Sequence, residues 1–305
     1  MKGKAPSPIL VLGALITVQF LFGVNYVFAK IIVEAFPPLV WASIRIVIAT
    51  LMMISIAALS GHKHPKPDRH FFLPLILFAA LGMIINQSTF LLGLRYTSAT
   101  NSAILCTLIP VFTLVLVTLR RQEPMTWMRL AGFISAFSGV LVIRRIEDFR
   151  LSDHTVVGDL LTIVNALSYA LFLSYGKKFL ERYDRPWTTA WLFIYGSVGI
   201  GLVSVPSWQG FVWPTLTPVL IGSMIFNIVG GTLLTYFLNF WALAHAKSSS
   251  VALFIYTQPI FAALLAWGWL GEAPTLRSTS ATLLIFLGMF LAFSREPVGK
   301  PAPSR

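Results

Sequence analysis

The sequence predicts an all-α membrane protein with ten transmembrane helices in two inverted five-helix repeats. Three observations predict it. The 305 residues are 56% hydrophobic and only 11% charged, whereas a soluble domain carries about 25% charged residues. Apolar runs of about 20 residues, each long enough to cross a bilayer as a helix, recur from end to end. The chain also repeats itself: Pro37 and Pro186, Gly61 and Gly210, Gly82 and Gly231, Leu94 and Leu243, Pro110 and Pro259, Glu123 and Glu272, Thr126 and Thr275, and Gly139 and Gly288 are each 149 residues apart.

Spans are expected near 10–33, 38–59, 71–93, 98–119, 126–144, 157–179, 187–205, 218–241, 247–269 and 276–294. The first follows Lys2 and Lys4, as a signal peptide would. It runs too far, to about Val33, and lacks a small-residue cleavage site, so it reads as a retained helix. Pro37-Pro38 ends it. Further breaks fall at Ser60–His70, Arg120-Arg121-Gln122-Glu123, Arg144–His154, Asp184-Arg185-Pro186 and Trp208–Pro218. Residues 9–144 thus form one five-span unit and 157–294 another, joined by a connector at 145–156. Because five is odd, the second unit enters the membrane upside down. With the N-terminus inside, sixteen Lys and Arg fall in inside segments and six in outside segments. That bias predicts cytoplasmic termini. The net charge of +12 sits mostly in these short loops, so it speaks for membrane orientation rather than for a nucleic-acid partner. Cys106 is the single cysteine and precludes an intrachain disulfide.

Polar side chains inside apolar spans are the candidate site residues, because burying one without a partner costs about 1–3 kcal/mol or more. Gly82, Asn86 and Phe90 follow one another at helical spacing in the third span, and Asn227, Gly231, Thr235 and Asn239 in the eighth. The two stripes suit either the lining of a central cavity or helix–helix glue. The first span offers Gln19, Gly23, Tyr26 and Lys30 on one face, and the sixth offers Asn165, Tyr169, Phe172 and Gly176. Arg45 is the one strong charge well inside a span; it suits an anionic group, or it snorkels or binds backbone carbonyls. Pro110 and Pro259 sit mid-span, where each frees a carbonyl four residues earlier and marks a hinge or a packing kink. Gln258 and Tyr256 stand beside the second proline. Glu123 and Glu272 precede Thr126 and Thr275, expected helix N-caps, and suit either a helix-end role or coupling.

No Asp or Glu lies near the middle of a span, which disfavours a proton-exchanging pump for lipophilic cations. The five histidines fall in loops, and no HExxH, GxSxG or Walker A sequence is present, so no enzyme, metal site or cofactor is expected.

The order and spacing of several segments resemble the ten-helix EamA-type branch of the drug/metabolite transporter superfamily. These are Phe22-Gly23-Val24-Asn25 through Ala29-Lys30, Ala42-Ser43-Ile44-Arg45, and Leu94-Arg95-Tyr96-Thr97-Ser98-Ala99 leading to Pro110 and Glu123-Pro124-Met125-Thr126. Leu243-Ala244-His245-Ala246-Lys247-Ser248 leading to Pro259 and Glu272-Ala273-Pro274-Thr275 repeats the last of them. The resemblance implies an ATP-independent carrier of a small molecule in a bacterial inner membrane, often an exporter, working by alternating access. The expected cargo is an amino acid or related carboxylate, with a proton as a coupling ion to test. Arg45 would hold the anion, Asn86, Asn227, Asn239 and Gln258 would supply hydrogen bonds, and Tyr256 an aromatic wall. The rival readings are a non-transporting receptor or scaffold and a carrier of nucleotide-like or lipid-like solutes. Ser135-x-x-x-Gly139 and Gly288-x-x-x-Ala292 suit either a homodimer contact or packing within one bundle.

Overall fold

Proline and short polar caps decide where the apolar runs become helices. In α1 (Pro8–Ala35), Ser7 caps the start by accepting from Leu10 N, and Pro8 fills the first turn, where its missing N–H costs nothing. Pro37-Pro38 stops it and opens α2 (Pro38–Leu59). The chain then turns at Gly61, whose φ of 71° suits glycine. Next come α3 (Arg69–Tyr96) and α4 (Leu108–Leu119). Thr126 caps α5 (Trp127–Ile143), as expected, with its hydroxyl accepting from Arg129 N at 3.2 Å. α6 (Val156–Arg182) and α7 (Arg185–Ser204) follow. Thr217 caps α8 (Pro218–Leu243) by accepting from Leu220 N at 3.2 Å. α9 (Ser248–Leu253) tightens into a 3-10 turn at Phe254–Thr257, and α10 (Leu276–Phe293) ends the described chain. These elements come from a computed structural model that describes residues 6–62, 64, 69–97, 102, 105–143, 156–183, 185–258, 260–261, 264 and 275–293. Pro259 and Glu272 lie outside the described residues.

The described residues are helical, with no strand among them. Among the described residues, six helices are long and apolar enough to cross a membrane: α1, α2, α3, α6, α8, and α7 taken on to Trp208. Shorter apolar helices at Leu108–Leu119, Trp127–Val142, Ser248–Thr257 and Thr279–Ala292 fall where the remaining spans are expected. The outer surface carries Ile9, Leu51, Leu73, Leu119, Leu202, Leu283 and Phe290, all more than half exposed. Such a surface suits lipid rather than water.

Helix pairing follows a pattern. α1 packs on α8 and α3 on α6; α2 packs on α7, α4 on α9, and α5 on α10. The α5–α10 contact explains the small-residue stripes. A Cβ at Gly132 would lie 2.6 Å from Gly288 O, one at Gly139 would lie 2.7 Å from Ala281 O, and one at Gly288 would lie 2.5 Å from Gly132 O. Ser135 donates to Leu284 O at 2.9 Å. Both stripes are therefore consumed inside one bundle and give no support to a homodimer.

α3 and α8 each contain a π-turn, Ala80–Ile85 and Val229–Leu234, and the two lie 149 residues apart. A π-turn inserts an extra residue and shifts the helix face beyond it. Residues five apart, Gly82 and Gln87 or Gly231 and Tyr236, then share a side. In α8 the threonines fill the widened turns, Thr232 donating to Asn227 O at 2.7 Å and Thr235 to Gly230 O.

Candidate functional site

The π-turns bring amides from α3 and α8 together at the centre of the bundle. A cavity of about 600 Å³, part of it open to solvent, lies beside them and draws its walls from α1, α3, α4, α6, α8 and α9. Its polar lining is Asn25, Asn86, Gln87, Asn165 and Gln258 with the phenols of Tyr26, Tyr169 and Tyr236; its apolar lining includes Phe22, Phe90, Ile109 and Ile255. Among the described residues no charged side chain lines it.

Behind this lining stands Arg45, 1% exposed. Its Nη1 donates to Asn227 Oδ1 at 3.2 Å and its Nη2 to Gln87 Oε1, while Nε has no partner among the described residues. No carboxylate pairs with it among those residues. A buried guanidinium without a counter-ion is held by neutral acceptors alone, an arrangement tolerated where a further group completes it. Trp41 Nε1 also donates to Asn227 Oδ1, at 2.8 Å, and Asn227 Nδ2 donates to Asn25 Oδ1 at 2.7 Å. Gln87 Nε2 donates to Asn86 Oδ1 at 3.0 Å and to the Tyr236 hydroxyl. Tyr236 in turn reaches Asn86 Oδ1 at 3.3 Å and Gly82 O at 3.4 Å. Asn165 Nδ2 donates to Asn86 O at 2.7 Å.

The residues singled out in the sequence divide accordingly. Asn86 and Gln258 line the cavity, Gln258 donating to Gln19 Oε1 at 2.7 Å. Arg45 and Asn227 lie one layer back and reach it through Gln87 and Asn25. Asn239 is buried and donates to the Tyr169 hydroxyl. Tyr256 faces away, against Phe133 and Phe137. Pro110 is the third residue of α4, just after a break in the helix at Thr107. Gln87 and Asn25 were not picked out from the sequence. Gln87 escapes because a strict 3.6-residue stripe through Asn86 does not survive the π-turn. Asn25 carried a signal of its own, an amide in the middle of a membrane-spanning run.

Glu123 also departs from expectation. Instead of serving only its own helix, its carboxylate crosses to the start of α9. There it accepts from Ser249 N at 3.3 Å and from the Ser249 hydroxyl, and it pairs with Arg129. Burial lowers the nearby Lys247 ammonium below its usual value, helped by Arg129 and opposed by Glu123. One more carboxylate is buried, Asp159 in the first turn of α6, which accepts from Thr97 Oγ1 at 2.6 Å.

Two stretches, residues 9–145 and 156–294, match the EamA-like transporter family. The chain belongs to that family: it is a multi-pass membrane protein of a transporter class. An "Uncharacterized transporter" of Archaeoglobus fulgidus is 28% identical, the match covering 89% of this chain and 93% of that one. The "Uncharacterized transporter YoaV" of Bacillus subtilis is 24% identical over 93% of this chain and 98% of its own. A solved crystal structure superposes with a TM-score of 0.75 at 15% identity, covering 94% of this chain and 98% of that chain. At that identity it speaks for the fold alone.

Proposed function

We propose that this protein is an ATP-independent carrier that exports a small amphipathic metabolite bearing a carboxylate, an amino acid or a relative of one. The observation that carries this reading is the central cavity: amides and phenols line it, and an uncompensated Arg45 stands directly behind. Such a lining would satisfy a polar solute on all sides, and the buried positive charge would favour an anionic group.

The architecture under this proposal is ten crossings in two inverted five-helix repeats, residues 9–144 and 157–294, with the termini in the cytoplasm of a bacterial-type cell. Residues 149 apart support it: the two π-turns coincide under that offset, and so do the left-handed glycines Gly61 and Gly210. The helix pairing supports it too, since exchanging the two halves turns the α1–α8 contact into α6–α3 and leaves α2–α7, α4–α9 and α5–α10 in place. Gln87 and Tyr236, themselves 149 apart, bond to each other, as residues beside a two-fold axis would. Alternating access would then rock one half against the other. The contact from Glu123 to Ser249 would tie the inner end shut, and Pro110 near the start of α4 would serve as a hinge, with Pro259 as its counterpart in the second half.

The test is uptake of a labelled panel of amino acids, monocarboxylates and uncharged heterocycles into proteoliposomes, with and without a proton gradient. Saturable uptake of an acid supports the reading, and dependence on the gradient would assign the proton as coupling ion. Saturable uptake confined to uncharged heterocycles would favour a second reading, a carrier of neutral planar solutes, which the absence of charge on the cavity wall also suits.

A further inference from the structure

Donor and acceptor roles in the polar cluster are not free to vary. Arg45 and the Trp41 indole can only donate. Both donate to one atom of Asn227, which must therefore be its carbonyl oxygen. The Asn227 amide nitrogen then faces Asn25, so the atom it meets there must be the Asn25 carbonyl oxygen. One group is left over, the Asn25 NH2. Asn25 is 5% exposed and lines the cavity. Its Nδ2 makes no hydrogen bond among the described residues and is not sealed from solvent. Gly231 leaves room for this arrangement, because a Cβ there would overlap Asn25 Oδ1. The Gln258–Gln19 pair has no donor-only neighbour of this kind and can present either sign.

We infer that Asn25 Nδ2 is the group that takes the substrate's carboxylate, with Arg45 a positioning residue acting through Asn227, and that the favoured ligands are monocarboxylates with a flat apolar body. This rests on the carrier reading for its biological meaning, but not for its test. The chain of bonds runs in one direction, from guanidinium to amide to amide. Each link polarises the next, so the last N–H is a stronger donor than an isolated amide. The Arg45 charge has no carboxylate partner among the described residues, and its hydrogen bonds reach the cavity wall through Gln87 and, by way of Asn227, through Asn25. A bound carboxylate would complete the cluster without crossing the wall. The rest of such a ligand would lie against Phe22, Tyr26, Phe90, Ile109 and Ile255, rings and branched chains that suit an aromatic body.

Three probes of one shape separate charge from fit: phenylacetate, phenylacetamide and phenethylammonium. Binding would be measured by calorimetry on the full-length protein in lipid nanodiscs. The wild type should bind phenylacetate at least ~10-fold more tightly than the amide, and phenethylammonium most weakly; a tenfold step is what one well-made charged contact supplies. Asn25→Asp puts an oxygen where the NH2 stands and should reverse the order. Should that variant not fold, Asn25→Ser removes the NH2 without adding charge and should reduce the acid preference to less than twofold. An unchanged order in the folded variant overturns the assignment. So does a wild-type preference for the amine, and so does failure of all three probes to bind. Phenylacetate that binds as expected, but is never taken up by proteoliposomes, would instead overturn the carrier reading and leave Asn25 in place.

Discussion

Two glycines 149 residues apart, Gly82 and Gly231, sit in matching π-turns and receive very different neighbours. At Gly231 a Cβ would meet the Asn25 amide; at Gly82 it would lie 2.7 Å from the Phe172 ring. One turn earlier the contrast repeats: Asn227 bonds Asn25, whereas Phe78, 149 residues before Asn227, packs edge-on to Phe172 at 6.5 Å. The backbone geometry is shared and the chemistry is not. One socket holds a polar relay ending at the cavity, and the other holds an aromatic wedge. Duplication explains the sockets; the divergence of what fills them is what the proposed one-sided, charge-reading site would need.

The largest effect should come from the partners of the two plugs. Asn227→Leu orphans the Trp41 N–H, one Arg45 N–H set and Asn25 Oδ1 together. At about 1–3 kcal/mol for each unsatisfied group, the loss should reach at least about 3 kcal/mol, seen as a collapse of monodisperse protein on size exclusion. Phe78→Leu keeps the socket apolar and should cost about 1 kcal/mol. Comparable melting temperatures for the two variants would contradict the contrast. Next come the sockets themselves. Gly231→Ala should displace Asn25 and lower phenylacetate affinity by more than ~10-fold. Gly82→Ala should cost about 1–3 kcal/mol of stability through overpacking against the ring, with affinity kept within about twofold. If both alanines weaken binding equally, Asn25 holds no special position.

Much of this was legible in the sequence. The 149-residue offset marked both glycines before any helix was placed, and the isolation of Arg45 in an apolar run marked it for a polar surrounding. What hid the rest was the π-turn. It adds Gln87 to the cavity face beside Asn86 and sets Tyr236 there in place of Thr235, which a 3.6-residue period from Gly82 and Gly231 does not foresee. The bond polarity that singles out Asn25 depends on which atoms meet, and spacing carries no such information. Tyr256 shows the converse failure: a tyrosine beside a mid-span proline looked like a cavity wall, but the 3-10 turn at Phe254–Thr257 directs it toward α5. A second register also went unread. Lys30 and Glu34 recur as Lys177 and Glu181, 147 residues on, and by this register Asn25 and Phe172 are counterparts as well. A two-residue slip between α1 and α6 concealed the plug that changed.

That register supplies the smallest test. Lys30 donates to Leu94 O at 3.4 Å, at the end of α3, and Lys177 to Leu243 O at 3.3 Å, at the end of α8. Each lysine thus sits on carbonyls left open at a helix C-terminus, where a cation stabilises by about 0.3–1 kcal/mol. The settings differ. Lys177 also reaches Ala246 O at 2.6 Å and Glu181 at 2.7 Å with 14% of its side chain exposed, whereas Lys30 lies 3.9 Å from Glu34 and is 36% exposed. Solvent screening should leave Lys30 only a few tenths of a kcal/mol. Thermal melts at low and high salt should therefore show Lys177→Met costing about 1 kcal/mol with little salt dependence. Lys30→Met should cost less, and added salt should erase the difference from wild type. Equal, salt-insensitive losses would mean that burial does not distinguish the two ends, and that the asymmetry between the halves is confined to the sockets at the centre.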